Sequence, residues 1–143
     1  MGKKSDYKKL LDSLYYYSEI DKVRTIEDYE RSLNRIYDYI RGIPWSYMKP
    51  ENRRKLEGIL YEYIEGLENE GKEYIIKTWR ENTPRYRKSY QKILEYIIEH
   101  TEYYELYTES PMKAYREIAK ETGYSWRTVR DAFWSFRKAG ILE

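Results

Sequence analysis

Over residues 123–140 the chain reads GYSWRTVRDAFWSFRKAG, a stretch in which arginines alternate with large aromatic rings. Guanidinium groups take phosphate oxygens and guanine edges through paired hydrogen bonds. Indole rings either stack on bases or fill cores. At helical spacing Val129, Phe133 and Phe136 share one face, which would turn inward. Trp126, Arg127, Arg130, Trp134 and Arg137 then occupy the opposite face. Residues 125–138 hold four basic side chains against Asp131 alone. A second cationic group, Arg85, Arg87, Lys88 and Lys92, opens a separate apolar pattern upstream.

Plainer readings stand beside these. Trp126 and Trp134 could pack on the N-terminal helices. Arg127 and Arg130 could be solvated, or paired with Asp131 or Glu121. The 85–92 patch, ENRRK (51–55) and Lys3, Lys4, Lys8 and Lys9 could be ordinary solvated surface. The Tyr15-Tyr16-Tyr17 run reads as core plus interface.

Catalytic chemistry finds few candidates. His100 is the single histidine and there is no cysteine, so a zinc site would need carboxylates. A Ser-His-Asp arrangement would have to use His100, which has no nucleophile motif near it. No glycine loop is suited to cradle phosphates. Tyrosine nucleophiles would have many candidates among 19 tyrosines, but not the accompanying His and Arg motifs. The chain is therefore expected not to be an enzyme, with no catalytic residue, metal or cofactor.

The elements that must position the cationic face all read as helix. Tyr7, Leu10, Leu11 and Leu14 make one apolar stripe. Ile26, Tyr29, Leu33, Ile36, Tyr37 and Ile40 make a second, after a capping-box-like Thr25 and Asp28. IPWSYMKP (43–50) breaks the pattern, and Pro50 suits the first turn of the next helix. That helix carries Leu56, Ile59, Leu60, Tyr63, Ile64 and Leu67. Gly58 and Gly66 weaken it and would allow close packing. NEG (69–71) should end it, with a short helix following in KEYIIKTWREN (72–82).

Beyond Pro84, Tyr86, Tyr90, Ile93, Leu94, Ile97 and Ile98 share a face. A polar, tyrosine-rich connection (101–111) follows. Two helical patterns then lie at 112–122 and 125–139, split by Gly123. No strand alternation, internal repeat or low-complexity tail is evident.

Composition bounds the partners. The 143 residues carry 27 basic and 25 acidic side chains, a net charge of +2, so no partner is forced by charge alone. Residues 1–83 balance at 16 each, and residues 84–143 hold 11 basic against 9 acidic. No stretch approaches the roughly 20 apolar residues of a membrane helix. MGKKSDYKKLL has no apolar core like a signal peptide's. A soluble cytoplasmic protein, with no membrane partner, is expected. One Gln, four Asn and no Cys fit the economy of a thermophile, an archaeon or one of its viruses or plasmids.

The turn between the last two helices makes specific demands. A small residue, Ala119, suits a close helix crossing. Gly123 suits a left-handed turn and Ser125 an N-cap. Val129 points back toward Ile118. The stretch REIAKETGYSWRTVRDAFWSFRKAGILE resembles the winged-helix branch of the helix-turn-helix superfamily. Ile118, Ala119, Gly123, Ser125, Thr128, Val129, Phe133, Phe136 and AGIL (139–142) stand where that family keeps its core and turn residues. ILEYIIEH (93–100) would be the first helix of its tri-helical unit. The β-hairpin wing that usually follows AGIL has no counterpart before Glu143. Either the wing is lost or the chain is a fragment cut ahead of it.

The helical periodicity points to an all-α protein with a helical bundle or dimerisation segment over 1–83, and the resemblance implies a tri-helical helix-turn-helix domain over 84–143. It implies DNA, most simply duplex, in contact with Ser125, Trp126, Arg127, Thr128, Arg130, Trp134 and Arg137 on the second helix. Arg85, Arg87 and Lys88 would add phosphate contacts. The leading expectation is a transcription regulator, with a homodimer open. Two alternatives stand. One is a helical accessory domain of a replication protein, a primase or helicase, on template DNA. The other is a protein-interaction module such as a polymerase inhibitor.

Overall fold

The structure, a computed structural model, describes residues 4–142, with side chains from Tyr7 to Leu142. Lys3 of the N-terminal lysine group lies outside the described residues. So does Glu143, on which the expectation about the wing rests. The described residues form seven α-helices and two short 3-10 turns, with no strand, so the all-α class holds. The helices are α1 (Lys4–Ser18), α2 (Ile26–Arg41), α3 (Pro50–Glu81), α4 (Lys88–Glu99), α5 (Glu102–Glu109), α6 (Pro111–Thr122) and α7 (Trp126–Lys138). None of them is long and apolar enough to cross a membrane.

The chain divides into two compact units. One comprises Met1–Val23 and Asp28–Gly71, the other Arg24–Glu27 and Lys72–Glu143. The division falls inside α3, at 71/72 rather than at the expected 83/84, because the end of that helix packs with the C-terminal helices.

In the first unit Leu14, Tyr29, Ile36, Leu56, Leu60 and Leu67 are buried, in keeping with the apolar stripes. Tyr37, expected on the α2 stripe, is instead 49% exposed. The α1–α2 corner is held by two buried serines. Ser18 Oγ donates to the Tyr15 carbonyl at 2.7 Å and accepts from the Ile20 N–H at 3.2 Å. Ser32 Oγ donates to the Ser18 carbonyl at 2.8 Å. Between them Glu19 takes a left-handed backbone, φ 54°, which costs a non-glycine residue about 1–2 kcal/mol. Its carboxylate meets Arg35 Nη1 at 2.6 Å and Lys22 Nζ at 3.3 Å.

Two expectations about glycine are corrected here. NEG (69–71) does not stop a helix; α3 runs straight through it. Gly71 is there for space: a Cβ on it would lie 2.8 Å from Tyr29 Cδ1 and 2.9 Å from Ile20 Cδ1. Gly58 and Gly66, expected to allow close packing, meet nothing within 4 Å. The sequence cannot separate these glycines, because which one is crowded depends on where α1 and α2 return.

In the second unit a run of aromatic rings ties the end of α3 to α7. Trp79 is fully buried, meets Phe136 edge-on at 5.8 Å, and donates its indole N–H to Ser135 Oγ at 3.0 Å. Phe136 continues to Phe133 at 5.9 Å, and Phe133 to Tyr107 at 4.6 Å and Tyr115 at 5.4 Å. Ile93, Leu94, Ile97 and Ile98 of α4 complete this core. The Ile26 N–H donates to the Ile141 carbonyl at 3.0 Å, which brings 24–27 into the same unit.

The connection over 101–111 is also corrected. It contains α5, whose Tyr104 and Tyr107 are buried. Eight residues are too few for periodicity to declare a helix whose apolar side is built of tyrosines.

The glycines make a direct test. Gly58→Ala and Gly66→Ala should each raise stability by about 0.5–1 kcal/mol, by removing backbone freedom from the unfolded chain at open helical sites. Gly71→Ala should lower it by about 1–3 kcal/mol through overpacking. Urea denaturation midpoints of the three variants check both signs.

Candidate nucleic-acid interface

The segment joining α6 to α7 is built as its residues require. Gly123 ends α6 with a left-handed backbone, φ 79°, and its N–H donates to the Ala119 carbonyl at 2.9 Å. Ser125 is extended, and its Oγ accepts the Thr128 N–H at 3.2 Å, an N-cap. The Ser125 and Thr128 hydroxyls also lie 2.9 Å apart, so both take part in the cap itself. Ala119 is only half-buried; the fully buried alanine of α6 is Ala114.

The inner face of α7 is wholly committed: Val129, Ala132, Phe133 and Phe136 are at zero exposure. The outer face carries a ladder of alternating rings and guanidinium groups. Arg130 Cζ lies 5.4 Å from the Trp126 ring centre and 5.0 Å from that of Trp134, one helical turn to either side. Arg127 Cζ lies 5.3 Å from the Trp126 ring. Each such contact is worth about 0.5–1 kcal/mol at an exposed site. Trp134 remains 58% exposed, and Trp126 is half-buried.

The plainer reading of Arg130 holds in one respect: its Nε and Nη2 donate to Asp131 Oδ1 at 3.2 and 3.1 Å. Arg127 and Arg137 are exposed and have no ion pair among the described residues. Arg137 and Lys138 stand in the last turn of α7, where cations also complement the helix dipole.

The upstream cationic group is divided. Arg85 shares a groove of about 320 Å³ with Asn82, Thr83, Pro84, Ser135 and Lys138, which brings it beside the last turns of α7. Lys88 lines a different groove, of about 200 Å³, with Arg80, Tyr86, Gln91, Lys92 and Glu95. Arg87 lies over the Tyr90 ring at 5.5 Å. Neither Arg87 nor Lys88 lines the groove that contains α7 residues.

Two basic residues of these grooves were missing from the sequence-based set. Lys138 was legible as the final cation of the 125–138 helix. Arg80 was not, because the expected helix over 72–82 does not by itself tell that its last turn meets Gln91 of α4. Its Nε donates to Gln91 Oε1 at 3.0 Å, Nη2 reaches the same oxygen, and its guanidinium lies over Tyr86 at 5.0 Å.

Tyr63, Tyr96 and Tyr115 depart from the ordinary phenol range, all upward. Burial raises Tyr63, with the Asp12 and Glu70 carboxylates adding to it. Tyr96 is pushed up to about 12 by burial first and then by its hydrogen bond with Tyr103. Burial also raises Tyr115, with Tyr107 adding to it and the Arg137 and Arg130 charges opposing it. That direction keeps the phenol protonated, the reverse of an activated nucleophile. Among the described residues no group of three or more His, Asp or Glu side chains gathers as a metal site would require. No protein-family model, curated protein or solved structure matches this chain.

The two faces of α7 should respond oppositely to truncation. Phe133→Ala should lower folding stability by about 3–5 kcal/mol, as a buried aromatic does. Trp134→Ala should change it by less than about 1 kcal/mol, because the ring is 58% exposed and its contact with Arg130 lies on the helix surface. Denaturant unfolding followed by circular dichroism measures both.

Proposed function

We propose that this chain binds DNA through the outer face of α7, with α6, the Gly123 turn and α7 acting as a helix-turn-helix, and that it regulates transcription from duplex sites. One observation carries the reading. A capped helix with a fully buried inner face presents arginines and tryptophans outward, with one carboxylate among them. The N-terminal half of such a helix fits the major groove, where Arg127 is placed to take a guanine edge or a phosphate. Arg137, Lys138 and Arg85 extend the positive surface past the end of α7.

A second reading is favoured by the ladder itself. An exposed indole backed by a guanidinium is a stacking platform for an unpaired base, and base–aromatic stacking is worth about 1–3 kcal/mol per base. On this reading the chain is an accessory domain of a replication protein on template strand.

Fluorescence anisotropy with one DNA sequence, offered as duplex and as its separate strands, distinguishes the two. Regulator-type binding should favour the duplex, with a log–log salt slope of about −4 to −5 from four to six phosphate contacts. Arg127→Ala should weaken it by about 1–3 kcal/mol without lowering the melting temperature. Tighter binding of the single strand, lost in Trp134→Ala, supports the second reading. Binding of neither form removes both.

A further inference from the structure

We propose that Asp131 is a latch on Arg130: its carboxylate occupies the guanidinium edge that a DNA phosphate or base edge would take, and the ligand must displace it. The proposal rests on the DNA-binding reading of α7.

Neighbouring residues on a helix point about 100° apart and do not ordinarily meet. Arg130 and Asp131 meet because of the rings. Trp126 and Trp134 sit four residues before and after Arg130 and draw its guanidinium along the helix surface between them. The planar group then turns its edge sideways around α7, and Nε and Nη2 both close on Asp131 Oδ1. Asp131 is the one acidic residue in the sequence of α7. Arg127 stacks on Trp126 as well, yet takes no carboxylate among the described residues, so the latch is particular to Arg130.

The side chains of Arg130 and Asp131 keep 32% and 41% of their exposure. An ion pair this open is weak enough for a phosphate or a guanine edge to replace. A free Arg130 would add indiscriminate phosphate affinity. A latched one contributes only where the incoming group outcompetes the carboxylate, which trades affinity for selectivity. Arg130 is thus both a DNA contact and a positioning residue for the two indoles, and Asp131 sets when it is released.

The test uses the full chain, a random-sequence duplex and its single strand, with Asp131→Asn, Arg130→Gln and the double variant. Asp131→Asn should bind about two- to fivefold tighter, with a salt slope steeper by about one. That gain should largely vanish in the Arg130→Gln background, since the carboxylate acts through that arginine. In the unaltered protein the Arg130 Nε–Hε resonance should move on DNA addition toward its position in Asp131→Asn. An equal gain with and without Arg130 would make Asp131 a plain repulsive charge and overturn the latch. So would unchanged affinity in Asp131→Asn, or an Arg130 resonance that stays in place when DNA binds. If every variant, including the unaltered chain, ignores both DNA forms, the DNA-binding reading falls and takes the latch with it. Binding with an unaffected Asp131→Asn removes the latch alone.

Discussion

The burial of Trp79 against α7 is the contact on which the C-terminal unit depends. An indole is the largest apolar group a chain can bury, and its N–H must find an acceptor when it does. Ser135 supplies that acceptor from the flank of α7, and Phe136 meets the indole in a T-shaped contact. Together they fix how α7 is rotated about its axis. With Trp79 on that side, Val129, Ala132, Phe133 and Phe136 all point inward. The arginines and tryptophans of α7 are left outward as a geometric consequence.

The outer face is ordered from within its own helix. Trp126, Arg130 and Trp134 are four residues apart in turn, the spacing at which helical side chains touch. The guanidinium of Arg130 has rings on two sides and a carboxylate at its edge, so its place on the surface is set by side chains of its own helix. That makes the four side chains one unit, so that replacing any one disturbs the others. Arg127 and Arg137, exposed and without a carboxylate, are the more independent cations of the helix.

Reading helices from the sequence worked where periodicity was long and apolar, and failed where the deciding contact was distant. The inner face of α7 was legible because Val129, Phe133 and Phe136 recur at helical spacing. Gly123 and Ser125 were legible because left-handed turns and N-caps select those residue types. The ladder was half-legible: the face was identified, but Arg130 stacking on both indoles while pairing with its sequence neighbour was not. α5 was missed because eight residues with tyrosines as their apolar side resemble a polar connection.

Local chemistry, then, is what the sequence determined by itself: an all-α chain, the turn before α7, its cap, and the division of that helix into apolar and cationic-aromatic faces. Each follows from backbone preference or from a 3.6-residue repeat, which a few neighbouring residues express in full. Tertiary structure alone decided that α3 runs through Gly71, that its last turns join the C-terminal unit, and that Arg85 shares a groove with Ser135 and Lys138 of α7 while Lys88 lines another. Those outcomes depend on contacts between residues far apart in the chain. Gly71 lacks a side chain to make room for Ile20 and Tyr29, and Trp79 is buried by a phenylalanine 57 positions away. No local pattern encodes such a pairing, because the free energy that selects it arises only when the distant surfaces meet and exclude water.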